Sequence, residues 1–398
     1  MVAASLALCS AVFAPQLQAA DDDHGGACVP VAKWVFPGRD EPVTLAEVMQ
    51  GLDGRRVILI GEHHDNPEHH RWQLHTLAAL HARYPDMVIG FEMFPHRVQP
   101  VLDRWVGGEL SEEEFLEQTR WQDIWSFDAD MYMPLFDFAR MYRIPMRAIN
   151  FERELIFKMR EQGTAALPAD MRDLVSEPAA PGKAYLNLLA MSYAQHGMAG
   201  EDDGADIDAQ QLYRENKRFQ GFVKGQLWWD RTMAEALARP LQGDDPPLVV
   251  GIVGSGHVIN HFGIPHQLAD LGVEDAAVLV PWDERYDCSS LSADFAEVVF
   301  GMRSPDSQDD AHKPLLGVFL ESGNKGPRIA KVVEDSVAQA AGIRSGDIIV
   351  EAAGAAVAEV GEVIERIQAM QPGTWLPLVV LRDDKRIDLV AKFPPQQE

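Results

Sequence analysis

Short runs of β-branched and other apolar residues alternate along most of the chain with stretches of helical periodicity, the pattern of a parallel sheet covered by helices. The predicted strands are 55–60 (RRVILI), 87–91 (MVIGF), 145–149 (PMRAI), 248–253 (LVVGIV) and 277–280 (AVLV). After the first of these, Asn66-Pro67-Glu68 supplies an N-cap, a proline at N1 and an early acid, so a helix is predicted from there towards Arg83. Residues 110–143 and 153–240 are mainly helical in pattern, the second interrupted by the polar loop 200–208, and read as helical insertions over the sheet. The stretch 304–314 (SPDSQDDAHKP) is polar and punctuated by proline, a linker signature. Beyond it come strands at 315–320 and 329–333 and a short helix at 336–342 with Gly342 as its C-cap. A turn at Ser345-Gly346-Asp347 leads into the next strand, a helix covers 360–370, and 375–381 and 385–393 form a hairpin around Asp383-Asp384. The expected fold is therefore α/β, a mostly parallel sheet with helical insertions, followed by a small α+β domain.

The first twenty residues change the domain plan. Residues 1–15 are uncharged and rich in Ala, Leu and Val, and Gln16-Leu17-Gln18-Ala19-Ala20 offers small residues for a signal peptidase. They read as an export signal whose missing basic n-region places the true start upstream of Met1; a buried N-terminal helix is the alternative. In Leu6-Ala7-Leu8-Cys9 the bulky Leu8 stands where a lipobox wants Gly or Ala, so no lipid anchor is expected. The plan becomes a signal at 1–20, a main domain at 21–303, a linker at 304–314 and a small domain at 315–396, with a periplasmic or otherwise exported location. Export leaves Cys28 and Cys288, one near each end of the main domain, as a candidate disulfide or as two separate thiols.

Composition then excludes one class of partner. Lys and Arg number 35 against 61 Asp and Glu among 398 residues, a formal net charge of −26. A surface so acidic repels phosphate backbones, so no nucleic-acid partner is expected. From Ala311 onward there are 10 basic and 12 acidic residues, so almost all of the excess lies in the main domain.

Chemistry-bearing residues collect where the predicted strands end. Strand one runs into Gly61-Glu62-His63-His64-Asp65, strand two into Glu92, strand three into Asn150-Phe151-Glu152-Arg153 and strand four into Gly254-Ser255-Gly256-His257. In an open parallel sheet the carboxyl ends of the strands share one rim, where ligands bind. Imidazoles and carboxylates spread over nearly 200 residues are thus expected to converge, with donors suited to a divalent ion or to acid–base work. Each motif alone also reads as an ordinary strand-to-helix turn, with an acid near a helix N-terminus. Seven of the 13 histidines fall between His63 and His96. Of those on the first helix, His70, one turn from the rim, is the one expected to support the site.

These same residues carry a resemblance. The stretch ILIGEHHDNPEHHRWQLH, then GFEMF, and the segments Trp105–Ser111, Gln226–Ala234 and Gly254–His257 resemble the ChaN family of haem-binding uptake proteins over about 45–285. That family is grouped with the Tiki and TraB proteins, which share two G-x-x-H motifs and a glutamate. Mapped here these are Gly61 to His64, Gly254 to His257, and Glu92, which favours His64 over His63. The resemblance implies haem as cofactor, with a homodimer among the expected partners. Tyr193 and His196, one helical turn apart in the insertion, are candidate axial ligands or simple packing. The Tiki branch implies an alternative, a metal-dependent hydrolase. In that reading His64, Glu92 and His257 ligate an ion such as zinc, Glu62 is the general base, and His70, Asn150, Arg153 and Asp230 give support.

The C-terminal order, with Ala341-Gly342-Ile343-Arg344-Ser345-Gly346-Asp347-Ile348-Ile349, resembles a PDZ domain of the bacterial protease-associated kind. It implies capture of a peptide C-terminus, or of a protein partner, by Leu316, Gly317, Val318 and Phe319, with the 360–370 helix as the other wall.

Overall fold

The computed structural model describes residues 28–39, 41–125, 127–195, 208–304, 315–323, 326–368, 370, 373–383 and 385–394. The proposed signal, Cys9, His196, most of the 200–208 loop and nearly all of the 304–314 linker lie outside the described residues. The chain divides into two compact units, Met1–Ser304 and Pro305–Glu398.

The first unit is built on a seven-stranded sheet: β1 (Trp34–Val35), β2 (Val57–Glu62), β3 (Met87–Pro95), β4 (Met146–Asn150), β5 (Leu248–Gly254), β6 (Ala277–Asp283) and β7 (Val298–Met302), in the order β1-β7-β6-β2-β5-β3-β4. All pairings are parallel except β1 with β7. The five predicted strands are present and all end later than predicted, β4 and β5 by one residue and β2, β3 and β6 by more, to Glu62, Pro95 and Asp283. β1 and β7 were not foreseen. The central strands are buried along their whole length, as a sheet covered on both faces requires.

One face is covered by the Pro67–Arg83 helix, capped by Asn66 Oδ1 at 3.0 Å from the Glu68 N–H, and by the Met133–Tyr142 helix. The other is covered by the second half of the 22-residue helix Lys217–Ala238 and by Ile264–Asp270. Two satellite cores extend from the long helix. Phe151, Ile156, Met159 and Trp228 join it to the Arg153–Gln162 helix, and Tyr185, Leu189, Tyr193, Phe219 and Val223 join it to Lys183–Gln195. Cys28 and Cys288 form a disulfide, Cα atoms 5.6 Å apart, tying the first described residue to the loop after β6.

The second unit is an antiparallel sheet of β8 (Val318–Gly323), β9 (Gly326–Val332), β10 (Ile348–Ala352), β11 (Ala355–Ala356), β12 (Trp375–Arg382) and β13 (Lys385–Lys392). The order is β13-β12-β10-β9-β8, with β11 beside β10. The Val360–Gln368 helix covers its apolar face through Val363 and Ile367. β8 pairs only with β9 and is an edge strand. Gly317, just before it, has φ +80°, and a Cβ there would fall 2.2 Å from Ser336 Cβ, so only glycine fits the turn.

Candidate functional site

β2, β5 and β3 are neighbours at the centre of the sheet, and register fixes what meets at their carboxyl ends. Glu62 pairs with Gly254 and Phe91 with Ile252, so Glu92 reaches the level where β5 turns into Ser255-Gly256-His257. Gly254 is the close approach. A Cβ there would lie 3.1 Å from His64 Cε1 and 3.6 Å from Glu92 Oε2. Glu62, His64, Glu92 and His257 are brought together as expected, and all four are buried.

Each imidazole is anchored through Nδ1. His64 Nδ1 donates to Glu62 Oε1 in a short contact, and His257 Nδ1 donates to Asp230 Oδ1 at 2.6 Å. His257 Nε2 faces Glu92 Oε1 at 3.5 Å, and Glu92 Oε2 accepts the Gly254 N–H at 2.6 Å. Burial works against charge on His64, but the Glu62 carboxylate, by attraction and hydrogen bond, and Glu92 outweigh it and raise its pKa to about 9. The same contest raises the pKa of His257, burial being overcome by Glu92 and Asp230. Glu62 is the reciprocal case: its burial is outweighed by His64, with smaller pulls from His70 and His63, and its pKa falls. His63 and His69 differ. Burial lowers both, and His69 Nδ1 accepts the His63 N–H at 2.9 Å.

The expected supports divide. His70 Nε2 donates to the His64 carbonyl at 3.2 Å, Asn150 Nδ2 donates to the Glu92 carbonyl at 3.2 Å, and Asp230 holds His257. Arg153 is exposed at the start of its helix. The rim also uses residues that the sequence did not single out. Tyr185 donates to Asp230 Oδ2 at 2.6 Å, Gln226 Nε2 donates to Asp230 Oδ1 at 3.3 Å, and Tyr132 donates to the His64 carbonyl at 3.1 Å. Trp125 and Phe127 cover the His64 ring at 4.7 and 5.3 Å, and Trp229 meets His257 edge-on at 5.9 Å. Gln226 and Trp229 were within reach of sequence reasoning, since both lie with Asp230 in the Gln226–Ala234 segment; Tyr185, Tyr132, Trp125 and Phe127 carried no such signal.

One expectation is corrected. Among the described residues no group of three His, Cys, Asp or Glu side chains is arranged to hold a metal ion, so the zinc reading of His64, Glu92 and His257 has no support. The neighbouring carboxylates favour the protonated form of His64 and His257, and a protonated imidazole has no lone pair for an ion. Tyr193 is 2% exposed and packs on Phe219 and Phe222 at 5.2 and 5.5 Å, the placement of a core aromatic. In the second unit Leu316 is buried, Gly317 and Val318 are half-buried and Phe319 is exposed on the edge strand. What the rim can do chemically is move protons: two imidazoles oriented by carboxylates flank a third carboxylate in a site closed to bulk water.

Comparison with known proteins gives these residues a setting. No curated protein matches the chain. A PDZ domain model matches 314–392. Among solved structures, the chain is similar to one described as cofacial heme binding to ChaN of Campylobacter jejuni, at 17% identity over 67% of this chain and 95% of that one, with a TM-score of 0.52. A serine endoprotease from Yersinia pestis is similar at 27% identity over 21% of this chain and 29% of that one, TM-score 0.19. The family model described as haem-binding uptake, Tiki superfamily, ChaN, matches residues 48–268, more than half of the chain, and the chain belongs to that family.

Proposed function

We propose that the protein is an exported haem-binding protein in which haem is cargo, and that its PDZ domain captures the C-terminal peptide of a partner. The family match across 48–268 carries the reading. The Cys28–Cys288 bridge supports export, because such bonds persist in oxidising compartments. The free edge of β8 beside the Gly317 turn supports peptide capture by strand addition.

The rim does not fit the porphyrin. His64 is 6% and His257 9% exposed, and a macrocycle reaches neither ring without displacing the aromatics that cover them. The outlying helices fit better in kind, since Arg153–Gln162 and Lys217–Ala238 offer the aromatic and cationic side chains that a flat dianion requires. Titrating the purified chain with haemin tests the reading. A saturable Soret shift supports it, and a spectrum equal to haemin in buffer removes it.

The rim favours a second activity, proton transfer in the hydrolysis of a small polar substrate. Three buried oxygens there, Glu62 Oε2, Glu92 Oε1 and Ser255 Oγ, have no hydrogen-bond partner, and such groups call for an occupant. Ester and peptide probes test it by comparison with Glu92→Gln; equal turnover by the two proteins ends this reading.

A further inference from the structure

Many of the described arginines lie against carboxylates, as Arg56 does with Asp275, Arg97 with Glu152 and Arg231 with Asp270. Three cations on the outlying helices depart from this and stand together. Arg160, half-buried on the Arg153–Gln162 helix, lies across the Lys217–Ala238 helix. A Cβ on Gly225 would meet Arg160 Cδ at 3.4 Å, and one on Gly221 would meet Arg160 Nη1 at 3.9 Å. The guanidinium thus lies beside these two glycines, with its Cζ over the Phe157 ring at 5.2 Å from the centroid. At 100° per residue Lys217, Gly221, Lys224 and Trp228 share one face of the long helix. Trp228 packs with Ile156 and Met159, so that face is turned towards Arg160. At 1.5 Å per residue the exposed Lys217 and Lys224 stand about 6 and 5 Å along the axis on either side of the guanidinium's glycine. Among the described residues none of the three cations has a carboxylate partner. Like charges so placed repel one another.

We infer that Arg160, Lys217 and Lys224 form the seat for the carboxylate edge of an anionic porphyrin, an assignment that rests on the haem-binding reading above. A haem presents two propionates on one edge. The guanidinium provides a planar two-donor fork for one, the ammonium groups provide point charges for the other, and Phe157 gives the ring system an apolar contact. Iron ligation is not assigned to these residues, which separates their effect from that of the axial ligand.

The test titrates the full-length protein with haemin and, separately, with haemin dimethyl ester, which lacks the anionic edge. Wild type is compared with Arg160→Gln, with the triple variant carrying also Lys217→Gln and Lys224→Gln, and with Lys33→Gln as a charge-matched control; circular dichroism checks folding. Each seat substitution is expected to weaken haemin about three- to fivefold, and the triple variant tenfold or more, as exposed charge pairs do. The Soret maximum should stay in place, Lys33→Gln should bind as wild type, and the ester should bind wild type and triple variant equally. Haemin binding by the triple variant at wild-type affinity, or an equal loss with the ester, overturns the seat while leaving the haem reading intact. A wild type that gives no Soret response overturns both.

Discussion

Replacing Glu62 by Gln removes the carboxylate that keeps His64 charged while leaving a side chain of the same size. In the native protein the His64 pKa stands at about 9 against an ordinary 6.5, and the ring is 6% exposed. A displacement of that size corresponds to about 3 kcal/mol, at 1.36 kcal/mol per unit. Because the folded value lies above the unfolded one, this stabilisation is complete below pH ~6.5 and is lost as pH rises through 9. Glu62 has the opposite sign: its pKa is lowered, so its share is present above ~4.5 and lost only in acid. Between pH 5.5 and 9.5 the histidine therefore sets the slope. In Glu62→Gln burial opposes only the weaker pulls of Glu92 and Asp65, so the His64 pKa falls and stability should be about 3 kcal/mol lower at pH 6, the gap closing towards pH 9.5. Urea unfolding followed by tryptophan fluorescence measures this for the first unit, which holds eight of the nine tryptophans. Parallel stability curves for the two proteins across that range, or a His64 that still titrates near 9 by NMR in the variant, would refute the reasoning.

Asp230→Asn should lower the His257 pKa, and Tyr185→Phe should do so less, since Tyr185 acts through Asp230; NMR titration of the His257 ring distinguishes the two sizes. Gly301→Ala should destabilise the first unit by about 2 kcal/mol or more, because its Cβ would fall 2.2 Å from the Pro30 carbonyl oxygen, as thermal unfolding would register. Cys28→Ser should lower stability by up to about 5 kcal/mol on a chain-entropy account, given a sequence separation of 260, read as the unfolding difference between oxidised wild type and variant. Gly317→Ala should abolish binding of apolar C-terminal peptides in fluorescence anisotropy, because its φ of +80° and the Ser336 Cβ at 2.2 Å leave no room for a side chain.

The rim was legible because a parallel sheet converts local pattern into long-range position. An apolar run followed at once by Glu62-His63-His64, by Glu92, or by Ser255-Gly256-His257 marks a strand end, and parallel strand ends share an edge. Choosing His64 over His63 came from the resemblance, and the structure places His64, not His63, beside Glu92 and Gly254. Tyr185, Tyr132 and Trp125 were not legible, since they arrive on covering helices and loops whose seating depends on tertiary packing. β7 was missed although its sequence, VVFGM, is strand-like, and β1 has only two residues and owes its existence to pairing with β7. Tyr193 shows the converse: a tyrosine one turn from a histidine suggested a ligand, yet with Leu189 on its own helix it fills the core against Phe219.

The net charge of −26 bears on where an anionic cargo can approach. At physiological ionic strength the Debye length is about 8 Å, so carboxylates spread over the surface are largely screened from a ligand seated farther away than that. Lys217 and Lys224 stand about 11 Å apart along the long helix with Arg160 across it between them, and the three act on such a ligand as a single cationic patch. The rim has the opposite character. Its three carboxylates, Glu62, Glu92 and Asp230, are buried beside two imidazoles whose protonated form they favour, which suits a proton-donating or small polar occupant and repels a dianion. The acidity of the chain and the binding of an acidic cargo are therefore compatible, provided that cargo and proton chemistry occupy different places. The sheet edge and the outlying helices provide those two places.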